Sequence, residues 1–136
     1  MSAFLTKPDL WADERKASRH TPIEKAAGGQ KHDQGKSRVD LLDPEFLMGV
    51  GNVLAFGTHK YAADNWRSGI SFRRLLGAIL RHTFAILRGE DTDPESGYPH
   101  VHHLGCTCMF LSWMMTHRKD LDDRYKYENL ADSSNK

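Results

Sequence analysis

Apolar residues recur at helical spacing in three stretches of this chain, and no segment sustains the period-2 alternation of a strand. The first stretch opens on Asp43-Pro44-Glu45, with an N-cap acid, a proline at the first helical position and an early carboxylate against the positive helix end. Phe46, Leu47, Val50, Val53 and Leu54 then share a face, and Gly57 is placed to stop the helix. Ser71 is expected to cap a second helix, whose stripe is Phe72, Leu75, Leu76, Ile79, Leu80, Thr83, Ile86 and Leu87, with Gly89 as terminator. Pro99 opens a third, carrying Val101, Leu104, Cys108, Leu111 and Met115. A fourth, polar helix is expected from about Lys119 to Leu130. Helices that each bury one stripe pack on one another, so the fold class is all-α, a small helical bundle.

The flanks are patterned differently. Residues 1–30 read as an N-terminal arm in which Thr21-Pro22-Ile23-Glu24 forms a capping box for a short helix ended by Gly28-Gly29. Residues 31–120 are the expected helical catalytic domain, and 121–136 a polar C-terminal helix or tail. Three or four helices make a thin core, and Met109, Phe110, Trp113 and Met114 broaden the third helix's apolar surface. A homo-oligomer, dimer or tetramer, and a broadly buried central helix are both consistent with that surface.

Charge changes this picture through its distribution. The totals, 19 Lys and Arg against 18 Asp and Glu, give no bulk drive toward nucleic acid or an anionic membrane. Locally, cations gather at Lys36, Arg38, Lys60, Arg67 and Arg81, and acids at Glu90, Asp91, Asp93 and Glu95. No apolar run approaches the ~20 residues of a membrane-spanning helix, no signal peptide is visible, and Cys106 and Cys108 are too close for a disulfide framework. A cytoplasmic protein is expected.

The segment GEDTDPESGYPHVHH, residues 89–103, is the candidate centre of chemistry. Four crowded carboxylates repel one another unless a cation or solvent compensates. They do not form a calcium EF-hand, because counting from Asp91 places Ser96 and His102 where that loop requires Gly and Glu. His100 and His103, at i and i+3, share a face at the edge of the third helix's stripe, and His82 lies similarly on the second. Carboxylates and imidazoles converging on one interface suit a divalent metal, with the histidines as ligands or proton handlers. Oxygen donors favour Mg²⁺ or Mn²⁺; imidazole ligation favours Mn²⁺, Co²⁺ or Zn²⁺. The spacing His100-x-x-His103-x-x-Cys106 also matches a zinc cluster, although a helical cysteine beside an apolar stripe is usually packing.

A second constellation is cationic and aromatic. Lys31 to Arg38 surrounds Gly35 with positive charge but lacks the phosphate-loop signature, and His59 to Arg67 combines cations with Tyr61, Asn65 and Trp66. Such groups meet phosphate oxygens, a base face and a base edge.

Gly35-Lys36-x-Arg38, Lys60-Tyr61, Asn65-Trp66-Arg67, Arg81-His82, Gly89-Glu90-Asp91 with Asp93, Glu95-Ser96-Gly97 and His100-x-x-His103 together resemble a phage-enriched family. These are the dATP/dGTP diphosphohydrolases called MazZ, grouped with MazG-like all-α nucleoside triphosphate pyrophosphohydrolases. The resemblance implies metal-dependent hydrolysis of a purine deoxynucleoside triphosphate to monophosphate and pyrophosphate. Glu90, Asp91, Asp93 and Glu95 would hold metal, Mg²⁺ first with Mn²⁺ or Co²⁺ as alternatives. His82, His100 and His103 would be catalytic. Lys36, Arg38, Lys60, Asn65, Trp66, Arg67 and Arg81 would bind substrate. The chain departs from MazG-like enzymes in lacking paired E-x-x-E/D motifs on adjacent helices; His82 with Ala85 and His100 with His103 occupy comparable positions. Either the ligands move into the acidic loop, or the MazG relationship is distant. An HD-type phosphohydrolase, on His32-Asp33, and a non-catalytic nucleotide- or metal-binding module are the rival readings.

Overall fold

A computed structural model of the chain describes Gly28, Gly29 and residues 31–127. The chain divides into two units, Met1–Leu42 and Asp43–Lys136. Within the described part of the first, a turn closes from the Lys36 N–H to the Asp33 carbonyl around Gly35, and a single 3₁₀ turn covers Val39–Leu41.

The second unit contains three α-helices. Asp43 caps α1, Pro44–Gly57, with its carboxylate accepting the Phe46 N–H at 2.9 Å. Pro44 sits in the first turn, where a missing N–H costs nothing. Helix α2 spans Phe72–Leu87 and ends at Gly89, whose φ of +89° suits glycine in the left-handed region. Helix α3 spans His100–His117 and follows Pro99 directly. Among the described residues there is no β-strand, only one isolated bridge between Thr92 and Pro99. No described helix is long and apolar enough to cross a membrane.

Helix α3 is the shared partner. Its Leu111 and Met114 pack with Phe72 and Leu75 of α2, and its Cys106 with Val50 and Val53 of α1. Phe110 packs against both clusters and stacks on Trp66 with ring centroids 4.6 Å apart. Two glycines set the distance between α1 and α3. A Cβ on Gly49 would clash with the His102 ring, and one on Gly105 would lie 2.6 Å from Phe46 Cζ and 2.9 Å from Val50 Cγ2. Both positions must stay bare for these helices to approach.

Two expected features differ. Ser71 precedes α2 as anticipated, but its hydroxyl does not cap the helix. Asp123, from the C-terminal segment, accepts the Arg73 N–H at 2.8 Å, placing a full negative charge where the helix end is positive. That hydrogen bond holds the Asp123 carboxyl below the usual carboxylate range. The polar C-terminal helix is also corrected. Lys119–Leu121 forms one 3₁₀ turn and residues 122–126 carry no helix, because the segment has no apolar stripe to bury and Asp122 pairs locally with Arg124 at 2.7 Å. The Thr21–Glu24 capping box, and residues 128–136, lie outside the described residues.

Gly105→Ala should destabilise the protein by about 1–2 kcal/mol, because overpacking outweighs the ~1 kcal/mol helix-propensity gain of alanine. Gly51, also in α1, has nothing within 4 Å of an added Cβ. Gly51→Ala should therefore stabilise by roughly 0.5–1 kcal/mol. Urea unfolding of the two variants beside the parent measures both signs.

Candidate metal and hydrolytic site

The acidic loop is a compact turn rather than an open carboxylate ring. Its ends are tied by the His100 N–H to the Asp91 carbonyl at 2.9 Å and the Asp93 N–H to the Tyr98 carbonyl at 2.9 Å. Gly97 closes the bend with φ of +74°, and its N–H reaches the Asp93 carbonyl at 2.8 Å. The Asp93 carboxylate accepts the Ser96 N–H at 2.9 Å, which folds Asp93 inward over the start of α3.

Inside this turn the structure brings together His82 from α2, His100 and His103 from α3, and Asp93 and Ser96 from the loop. The His82 and His103 rings stack with centroids 4.7 Å apart, and His82 Nδ1 lies 2.8 Å from His100 Nδ1. Ser96 Oγ lies 2.7 Å from His103 Nε2 and accepts the Tyr98 N–H at 3.2 Å. One hydroxyl has one proton and two lone pairs, so the direction of the Ser96–His103 hydrogen bond follows the His103 tautomer.

His100 is only 4% exposed, and its Nε2 is buried with no hydrogen-bond partner. Whichever histidine carries the proton between the two Nδ1 atoms, one nitrogen of His100 stays unsatisfied, at a cost of about 1–3 kcal/mol. A cation bound there removes that deficit. His82, Asp93 and His100 each offer one donor atom, all within 4.8 Å of one another, as a three-ligand metal site requires.

Electrostatics keeps the cluster poised. Burial lowers the His82 imidazole below its ordinary value, and the neighbouring His103 and His100 push the same way. Burial likewise lowers His103, opposed in part by the charge of Asp93. At Asp93 burial works against ionisation, but the hydrogen bonds from Ser96 outweigh it and hold the carboxyl low. Near neutrality the site thus presents an ionised carboxylate beside uncharged His82 and His103, the protonation state that metal binding needs.

The other candidate residues are dispersed. Glu90 pairs with Arg88 at 3.2 Å, Glu95 pairs with Lys60, and Asp91 meets α3 through its backbone carbonyl. The four carboxylates therefore do not converge: cations from α2 and the 58–69 loop draw two of them outward, and Asp93 alone joins the histidines. Asn65 and Trp66 sit in a 3₁₀ turn, where Trp66 is held between Phe110 and Trp113 and Arg67 lies 4.3 Å over its ring. Arg67 also pairs with Asp64 at 3.0 Å. Arg81 has no carboxylate partner among the described residues. Lys36 and Arg38 belong to the first unit, paired with Asp33 at 3.4 Å and Asp40 at 2.7 Å. In that unit Asp33 of the His32-Asp33 pair is engaged by Lys31 and Lys36. Cys106 packs against α1, and burial raises its thiol to about 11, which opposes a thiolate ligand.

Sequence reasoning missed Ser96, whose role depends on a turn that places it beside His103. The signal was present as Asp93-x-x-Ser96 before a glycine, the spacing of a side chain that accepts the N–H three residues on.

Because His82 and His103 titrate lower in the fold than when unfolded, the folded state binds fewer protons below the ordinary imidazole value of 6.5. The metal-free protein should keep its full stability above pH 6.5 and lose it as pH falls below that value. His103→Gln should flatten this decline, as measured by urea unfolding between pH 5 and 8 in the presence of a chelator; a decline of unchanged slope contradicts the assignment.

The family described as dATP/dGTP diphosphohydrolase, N-terminal, matches residues 26–124. The chain is 41% identical over 96 residues to a protein of Salmonella phage PMBT28 named dATP/dGTP diphosphohydrolase. The match covers 71% of this chain and 33% of that protein, so the chain spans about a third of its relative's length. No solved structure matches. The matched region takes in α1, α2, the acidic turn, α3 and all five residues of the histidine cluster, and on that extent the chain belongs to the dATP/dGTP diphosphohydrolase N-terminal family.

Proposed function

We propose that this chain hydrolyses a purine deoxynucleoside triphosphate, dATP or dGTP, to the monophosphate and pyrophosphate in a metal-dependent reaction. The observation carrying this reading is the triad of donors His82, Asp93 and His100, in which the buried His100 has an unsatisfied imidazole nitrogen, in a chain of this family. The Salmonella phage relative is a dATP/dGTP diphosphohydrolase by name, which supports these nucleotides as the substrate.

Two imidazoles and one carboxylate suit Mn²⁺ or Co²⁺ better than the Mg²⁺ that an all-carboxylate site would favour. When bound, such an ion neutralises phosphate charge and makes water a better nucleophile. His82 and His100 supply nitrogen lone pairs, and Asp93 supplies charge. His103 is the proton acceptor: burial keeps it unprotonated near neutrality, and Ser96 holds its ring through Nε2. Arg81, adjacent in sequence to His82, meets phosphate. Lys60 and Arg67 supply further phosphate contacts. Asn65 reads the base or sugar, with Trp66 holding its turn in place. Glu90, Asp91 and Glu95 shape the turn rather than ligate. A homo-oligomer in the cytoplasm completes the reading, with Leu80, Phe84 and Leu87, exposed at i, i+4 and i+7 on α2, as the contact stripe.

Purified protein with Mn²⁺ and dGTP or dATP should release one pyrophosphate per monophosphate. His100→Ala and Asp93→Asn should each lower kcat by about 100-fold or more, and His103→Gln by a similar factor, while circular dichroism reports a retained helical fold. Folded protein that releases no pyrophosphate sinks the proposal; inorganic triphosphate as product shifts attack to a different phosphorus and favours the HD-type reaction.

A further inference from the structure

Eight arginines lie within the described residues, and five are ion-paired: Arg38, Arg67, Arg88, Arg118 and Arg124 each reach a carboxylate. The other three, Arg73, Arg74 and Arg81, have no carboxylate within ion-pair distance among the described residues, and all three line one open groove of about 420 Å³ between α2 and α3. That coincidence is unlike a randomly solvated surface. Asp123 lies near enough to Arg73 to feel its charge, but its carboxylate accepts the Arg73 N–H as the cap of α2. Three guanidiniums lining one concavity repel each other, and among the described residues none is ion-paired.

The shape of the groove narrows the ligand. Gly77 lines it, where the absence of a side chain leaves room for the Arg81 guanidinium, whose Nη1 lies 3.3 Å from where a Cβ would sit, and Phe110 contributes an apolar wall. Residues 73, 74, 77 and 81 fall on one stripe of α2, their Cα atoms spread over about 10–12 Å of the axis at 1.5 Å per residue. Three guanidiniums along one stripe match a run of linked phosphates better than a single phosphate. The volume sits within the ~300–1,000 Å³ usual for small-molecule sites. At its near end Arg81 adjoins His82 in sequence, and Thr107, which lines the groove, lies one helical turn beyond His103 and donates to its carbonyl at 2.9 Å. The groove therefore leads away from the histidine cluster.

We propose that this groove is a polyphosphate-binding site, in which Arg73 and Arg74 hold the terminal phosphates of the ligand and Arg81 the phosphate nearest the histidines. Guanidiniums match phosphate oxygens by paired N–H donors. The placement rests on the proposed hydrolysis, since the phosphates held by Arg73 and Arg74 are those that depart as pyrophosphate. The binding site itself does not require turnover.

The test separates the two. Inorganic tripolyphosphate is titrated calorimetrically into the full chain in a chelator, where no metal contributes and no reaction occurs. Arg73, Arg74 and Arg81 are exposed, so their replacement leaves the core intact. Arg73→Gln/Arg74→Gln should weaken tripolyphosphate binding at least tenfold, Arg81→Gln should weaken it further, and the double lysine variant should recover part of the loss. Asp93→Asn should bind tripolyphosphate at least as well as the parent while losing turnover. If the parent binds tripolyphosphate through these arginines yet hydrolyses no nucleotide, the groove stands and the reaction reading falls. Binding that changes less than twofold in the double glutamine variant overturns the groove, whatever the turnover. So does a variant that loses affinity for a single-stranded oligonucleotide but keeps it for tripolyphosphate, which would make the face a nucleic-acid surface.

Discussion

The seam between α2 and α3 holds three imidazoles, with His82 in ring contact with both His100 and His103, so charge on a neighbouring ring opposes protonation of His82. Burial adds to that repulsion, because a charged ring between packed helices loses its hydration. His82 and His103 accordingly titrate below their ordinary value, while Asp93, secured by Ser96, stays ionised beside them. A neutral histidine pair, a fixed carboxylate and an unsatisfied nitrogen on His100 form a set of donors awaiting a cation. Much of the remaining architecture serves to keep those groups in register.

Helix α3 does most of that positioning, since it carries two of the histidines and packs on both other helices. On one side Gly49 and Gly105 let α1 come close enough to clamp it; on the other, Phe72, Leu75, Leu111 and Met114 lock it to α2. The acidic turn spans the short distance between the end of α2 and the start of α3, and its backbone hydrogen bonds leave Asp93 little freedom. A site built this way is preorganised by helix packing, with one loop carboxylate folded in from above. Arg73 and Arg74, beyond Arg81, extend the same seam outward and give it a charged approach.

The helices were legible because their causes are local: the Asp43-Pro44 start, the Phe72-to-Leu87 stripe and Pro99 before α3 all act within a few residues. The shared face of His82, His100 and His103 was legible for the same reason, as helical periodicity places them. The fate of the acidic residues was not. Glu90 and Glu95 are drawn away by Arg88 and Lys60, and which cation reaches which acid depends on three-dimensional proximity. Ser71 shows the same limit, for its expected capping role is taken by Asp123 from 50 residues away. Trp66 had the composition of a base platform, yet one face is stacked on Phe110, a contact that no spacing along the chain encodes.

The central claim is that His82, His100 and Asp93 form a metal site. Its most direct measurement is an anomalous-difference map at the manganese edge from crystals grown with Mn²⁺. The account predicts a peak bonded to one nitrogen each of His82 and His100 and an oxygen of Asp93, at about 2.0–2.3 Å. A peak instead bridging Glu90, Asp91 and Glu95, with His82 and His100 still hydrogen-bonded to each other, would contradict it.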